Sequence, residues 1–157
     1  MMMRKILDLF RSTMQAEHVM EDELFGKLTW DERYHGWRGH MSLANGKTAR
    51  FTIDGLKTDT SFPEAVRETF KYLLANEPLV HDKIAVGASE IYNGTWGDGD
   101  TMTPAEMVQR ISLAEVSFYD EGGGELYYEA YDDLFTDHSI CASFSANGEI
   151  GEPDLWG

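Results

Sequence analysis

Cysteine is nearly absent: the 157 residues hold one, Cys141. A lone cysteine excludes an intramolecular disulfide, and cytoplasmic residence is the simpler expectation. Long apolar runs are missing too. No stretch of ~20 apolar residues occurs, so no transmembrane helix is expected. The opening MMMRKILDLF is interrupted by Arg4, Lys5 and Asp8, where a secretory signal needs an unbroken apolar core. Basic residues are scarce, 13 Lys and Arg against 28 Asp and Glu, for a formal net charge of -15. That imbalance argues against nucleic acid or an anionic membrane as partner, because neutralising phosphates takes Lys and Arg. It suits a basic protein partner, and it also serves solubility alone. Neither H-E-x-x-H, nor paired cysteines, nor a phosphate loop with its Lys and Ser/Thr is present, so no cofactor is expected.

What is present describes a folded domain. The apolar share is 42% and the aromatic share 12%, values of a globular chain and not of a disordered one. The length fits a single domain over residues 1–157. Ile6, Leu7, Phe10 and Met14 recur at helical spacing, which predicts an amphipathic helix within residues 1–18, peripheral to the body. Such a helix suits either a monomer or a homodimer. Glu17–Asp22 reads as an acidic linker.

Strand periodicity is clearest in two places. Ala114, Val116 and Phe118 share one parity, as do Leu126, Tyr128 and Ala130, and Ile140, Ala142 and Phe144. Glu115, Ser117, Glu125, Glu129 and Ser143 fall on the other parity, the mark of a sheet covered on one face. Gly122, Gly123 and Gly124 supply a turn between the first two runs. Earlier, Leu24–Trp30 reads as a strand beside a hairpin over Trp37–Asp54, turned at Asn45-Gly46 by a type I′ pair. After Phe144, Asn147-Gly148 marks another turn, and Leu155 and Trp156 are expected to tuck back onto the body.

The middle of the chain is helical. Ser61 and Glu64 read as a capping box before the stripe Phe62, Val66, Phe70, Leu73 and Leu74. Pro78 is expected to begin a second helix, with Val80, Ile84, Ala88 and Ile91 buried and Gly87 allowing a close approach. Thr103, Pro104 and Glu106 start a short third helix. Segregated strands and helices predict an α+β fold. Its antiparallel sheet of five to seven strands would be built from two three-stranded groups, helices packed on one face. Two separate three-stranded sheets are the alternative.

Several segments carry a family likeness: FGKLTWDERYHGWRGHMSL at 25–43, IYNGTW at 91–96, ISLAEVSFYDEGGGELYYE at 111–129, DLFTDHSI at 133–140 and the closing GEIGEPDLWG. Together they resemble a bacterial family known as domain of unknown function 2262. The most specific piece is DLF-x-x-HSI. Thr136 and Asp137 stand there in place of the aromatic and the small residue the pattern leads one to expect. The resemblance implies a small cytoplasmic bacterial protein and carries no reaction and no catalytic residues.

Three groups of residues are candidate sites. Asp133, Asp137 and His138 offer carboxylates and an imidazole to a divalent metal, which could activate water in a hydrolase using His138 with Asp133 or Asp137. The plainer reading of His138 is a core-edge histidine bonded to a turn backbone. Asn93–Asp100 has the oxygens of a calcium loop without its full ligand series, and a capping turn explains it better. Tyr119, Tyr127 and Tyr131 share the outer sheet face with glutamates, the make-up of a recognition patch, although cross-strand pairing would also account for them. Trp96 joins the binding candidates as the wall of a cleft between helices and sheet. These features favour a non-enzymatic protein-binding module, immunity-like in its small size and acidity, over the metal-dependent hydrolase.

Overall fold

The computed structural model describes residues 18–157. The amphipathic helix read near the start of the chain lies outside the described residues. Four strands come first: Val19–Asp22 (β1), Gly26–Asp31 (β2), Gly36–Ser42 (β3) and Thr48–Asp54 (β4). Helix α1 spans Glu64–Ile91, runs into a π-helical turn at Tyr92–Trp96, and is followed by the short α2, Pro104–Val108. Four more strands close the domain: Ile111–Phe118 (β5), Gly124–Ala130 (β6), Ser139–Phe144 (β7) and Asp154–Trp156 (β8). No helix among the described residues is long and apolar enough to cross a membrane.

All eight strands form one sheet in chain order. Every neighbouring pair is antiparallel except β4–β5, which is parallel. A parallel pair cannot be closed by a tight turn and needs a long crossover, which α1 and α2 supply. The α+β expectation holds, but the strand groups hold four strands each, not three. β1 takes part of the segment read as an acidic linker, and β8 takes the tail. In that tail Leu155 packs against the core while Trp156 stays exposed.

The core lies between α1 and one face of the sheet. Val116, Phe118, Leu126, Tyr128, Ile140 and Phe144 are all buried there, as their parity predicts. Ala114 is the exception. The register shifts between Leu113 and Glu115, so Ile111 and Leu113 are buried before the irregularity and Val116 and Phe118 after it. One extra residue in a strand moves its later side chains to the opposite parity.

Three hairpins share one construction. Leu43 N donates to Lys47 O at 2.8 Å, Tyr119 N to Gly123 O at 2.8 Å, and Ser145 N to Glu149 O at 2.9 Å. In each, the glycine just before the closing residue is left-handed: Gly46 at φ 82°, Gly122 at 95° and Gly148 at 80°. This is the three-residue loop that ends on a left-handed glycine. The type I′ assignment at Asn45-Gly46 is therefore wrong, since only Gly46 has positive φ. Asn45 instead accepts the Lys47 N–H through Oδ1 at 2.9 Å.

The helical region also differs from expectation. α1 is one helix of 28 residues with Pro78 inside it. Its buried positions Val66, Phe70, Leu73, Glu77, Val80, Ile84 and Ala88 follow the helical period straight through the proline. Pro78 costs the helix one donor, toward the carbonyl of Leu74, but Leu74 is on the exposed side. Continuous burial of the stripe outweighs that loss. Pro78→Ala, which restores the donor, is expected to stabilise the fold by about 1–2 kcal/mol, read by urea unfolding. The Ser61 capping box does not form either: Pro63 is the N-cap, and Ser61 bonds Asp59 instead. At α2 the Thr103 hydroxyl does accept the Glu106 N–H, at 3.2 Å. Gly87 meets the close approach expected of it, because a Cβ there would overlap Pro153.

Candidate functional site

The sheet face turned away from α1 carries alternating polar residues, and register brings them into rows. Arg50, Glu115, Tyr127, Cys141 and Asp154 form one row across β4 to β8, and Thr52, Ser117, Glu125 and Ser143 the next. The face is divided by charge. Lys27, Arg38, His40 and Arg50 cluster on the β2–β4 side, while Glu125, Glu129 and Asp154 lie toward β6–β8. Glu115 sits on the boundary, 3.6 Å from the Arg38 guanidinium and 3.7 Å from that of Arg50.

Beside Glu115 lies a basin of about 270 Å³ walled by Tyr34, Asp54, Tyr119 and Tyr127, with Thr52 and Ser117 as its floor. Burial, then the Glu125 carboxylate, raises both Tyr119 and Tyr127, and Tyr127 donates its hydroxyl to Glu125 Oε2. Desolvation, then the Asp120 charge, pushes the Asp54 carboxyl upward. Among the described residues Asp54 has no cationic partner. Cys141, on the same face, is buried, and burial followed by Glu125 and Asp154 pushes its thiol up to about 11. A thiol so far from ionisation is a poor nucleophile.

The tyrosine trio of the sequence is thus split. Tyr119 and Tyr127 share the basin, whereas Tyr131 lies at the far end of β6. There Lys47 donates to its hydroxyl, which lowers its pKa, and the Lys47 ammonium stands 4.9 Å over its ring. Trp96 packs edge-on against Phe135 at 6.0 Å and His138 at 5.1 Å. Phe135, fully buried, is the anchor of the DLF-x-x-HSI motif. His138 Nδ1 lies 3.1 Å from both the Phe135 carbonyl and the Thr136 hydroxyl. Asp137 Oδ1 is 3.5 Å from the same nitrogen, but the Asp137 side chain is 94% exposed. Asp133 makes no ion pair or side-chain hydrogen bond with either, among the described residues. No three His, Cys, Asp or Glu side chains among the described residues converge as a metal site. In the glycine-rich loop, both ends of the Asn93 amide bond the backbone of Met102, at 2.9 Å and 2.7 Å. Asn93 is a clamp between α1 and α2.

A profile described as "Uncharacterized protein conserved in bacteria (DUF2262)" matches residues 22–155. The chain belongs to that family. Within DUF2262 the matched span runs from the last residue of β1 into β8, so it takes in both strand groups and their crossover. No curated protein and no solved structure matches the chain.

A second concavity escaped the sequence reading. The middle of α1, the β3–β4 hairpin, the end of α2 and the ends of β5 and β6 enclose about 510 Å³. Glu77 and His81 of α1 line it, with Lys47 and Tyr131 also in its wall. Glu77 is the charged residue on the buried face of α1, and reading α1 as unbroken through Pro78 would have exposed that anomaly.

Proposed function

We propose that this protein is a non-enzymatic binding module that docks a basic protein segment on the open face of its sheet. An arginine or lysine of the partner enters the basin beside Asp54. The supporting observation is Asp54 itself: a carboxylate at the edge of the basin, facing Asp120 and without a cationic partner among the described residues, within a wall of three tyrosines. A guanidinium or ammonium there relieves the repulsion and lies against aromatic rings. The basin's volume suits one long side chain. An immunity protein holding a basic toxin would make the same contacts.

The test is titration with a synthetic Arg-Gly repeat peptide, followed by amide chemical shifts. Binding is expected to weaken as salt rises from ~20 to ~300 mM. Shifts should be confined to β4, β5, β6 and the β2–β3 turn. Asp54→Asn should weaken binding about tenfold, while Glu90→Gln on exposed α1 surface should leave it unchanged. Equal losses in both variants, or shifts spread over α1, would reduce the effect to general charge attraction and reject the basin.

A further inference from the structure

The cleft at the middle of α1 holds an unusual set of unsatisfied polar atoms. The Glu77 side chain is 7% exposed, and its Oε1 has no hydrogen-bond partner. His81 Nε2 lies 3.0 Å from the Val108 carbonyl. A carbonyl only accepts, so that nitrogen carries the hydrogen, and in the neutral ring Nδ1 is a bare lone pair. Nδ1 faces Glu77 Oε1 at 3.6 Å, outside hydrogen-bond contact. With the ring in that form, two acceptors confront each other with no donor between them. Beneath them the Tyr128 ring meets His81 edge-on at 5.5 Å, and its fully buried hydroxyl is also unpartnered.

Buried acceptors of this kind are costly unless something donates to them. We infer that the cleft is a binding site for a small primary amine, whose ammonium group donates to Glu77 Oε1 and His81 Nδ1 together while its alkyl chain lies along Pro78, Val108 and Ile111. The ammonium has three donors and the charge opposite to Glu77. A divalent metal fits less well, because only these two ligating side chains converge. The neighbouring titratable groups are Asp82 on α1, Lys47 on the β3–β4 hairpin, Tyr128 on β6 and Tyr131 just after it. None of the residues invoked belongs to the sheet-face basin, so either proposal can fail alone.

The experiment is calorimetric titration of the full chain with n-pentylamine, with pentyltrimethylammonium and 1-hexanol as comparators, alongside NMR of the His81 ring nitrogens. Saturable 1:1 binding of n-pentylamine is expected, about tenfold tighter than either comparator, because neither brings a charged N–H donor. The His81 Nδ1 signal should move with n-pentylamine and stay in place with 1-hexanol. Glu77→Gln should weaken the amine about tenfold. If that variant does not fold, the His81 signal in the unaltered protein decides the matter. No saturable amine binding, equal binding of all three compounds, or an unmoved His81 signal would overturn the inference.

Discussion

Phe51→Ala is expected to lower the free energy of unfolding by about 3–5 kcal/mol, measured by urea denaturation. Phe51 lies on β4, at the seam where the two antiparallel groups meet in parallel register with β5. It is fully buried. Its ring meets Phe25 at 6.0 Å, Phe70 at 5.1 Å and Phe118 at 6.2 Å, so one side chain touches the β1–β2 turn, α1 and β5. Truncation removes the transfer free energy of the ring and leaves a cavity among three other aromatics that cannot all collapse into it. Leu79→Ala is the control. Leu79 is 68% exposed on α1, and its loss should fall within about 0.5 kcal/mol. If the two variants lose similar stability, Phe51 does not occupy the centre of the core.

Arg67→Ala carries the second large effect, expected at about 2–3 kcal/mol near neutral pH. Arg67 of α1 forms a two-pronged pair with Asp22 of β1, Nη1 to Oδ1 at 3.0 Å and Nη2 to Oδ2 at 2.8 Å. Asp22 also accepts the Leu24 and Phe25 N–H groups at 2.9 and 3.0 Å, which fixes the β1–β2 turn. The guanidinium stacks over Phe25 at 5.0 Å and Phe62 at 5.8 Å. Removing it strands a carboxylate whose side chain is only 9% exposed. The expected cost stays below that of a fully buried pair because Arg67 keeps some contact with water. Arg67→Lys, which retains charge but not the fork, should fall in between.

The same pair sets an acid limit. The Arg67 hydrogen bonds, ahead of the two backbone N–H bonds, hold the Asp22 carboxyl down to about 2, against 3.8 in the open chain. A carboxyl depressed in the folded state stabilises above its open-chain value and loses that contribution as pH falls through the folded one. The difference between the native chain and Asp22→Asn should therefore be full above about pH 4 and shrink toward pH 2. A difference that does not change between those limits would show that Asp22 is not held by Arg67.

Much of the sheet was legible because side-chain alternation in strands is a local property. Burial on one face wrote itself into Val116, Phe118, Leu126, Tyr128, Ile140 and Phe144 without help from distant residues. Ala114 broke the pattern because a bulge is set by the partner strand, not by composition. Asn45-Gly46 announced a hairpin correctly, yet its turn type followed from how the flanking strands pair. Pro78 was read as a boundary because proline removes a donor. In the folded chain, a stripe running from Val66 to Ala88 is buried against the sheet, and that packing outweighs one missing hydrogen bond.

The candidate sites were less legible for the same reason. The parity that grouped Tyr119, Tyr127 and Tyr131 was silent on distance, and Tyr131 lines the cleft instead of the basin. Nothing local ties Glu77 to Val108 or Tyr128, which come from other elements.

By itself, then, the sequence determined the family, the one-sided sheet, the turns and the acidic charge, each carried by neighbours a few residues apart. Tertiary structure alone decided the eight-stranded order, the unbroken α1, and the packing of His81 against Val108 and Tyr128. Those depend on which surfaces bury one another, a balance summed over residues far apart in the chain.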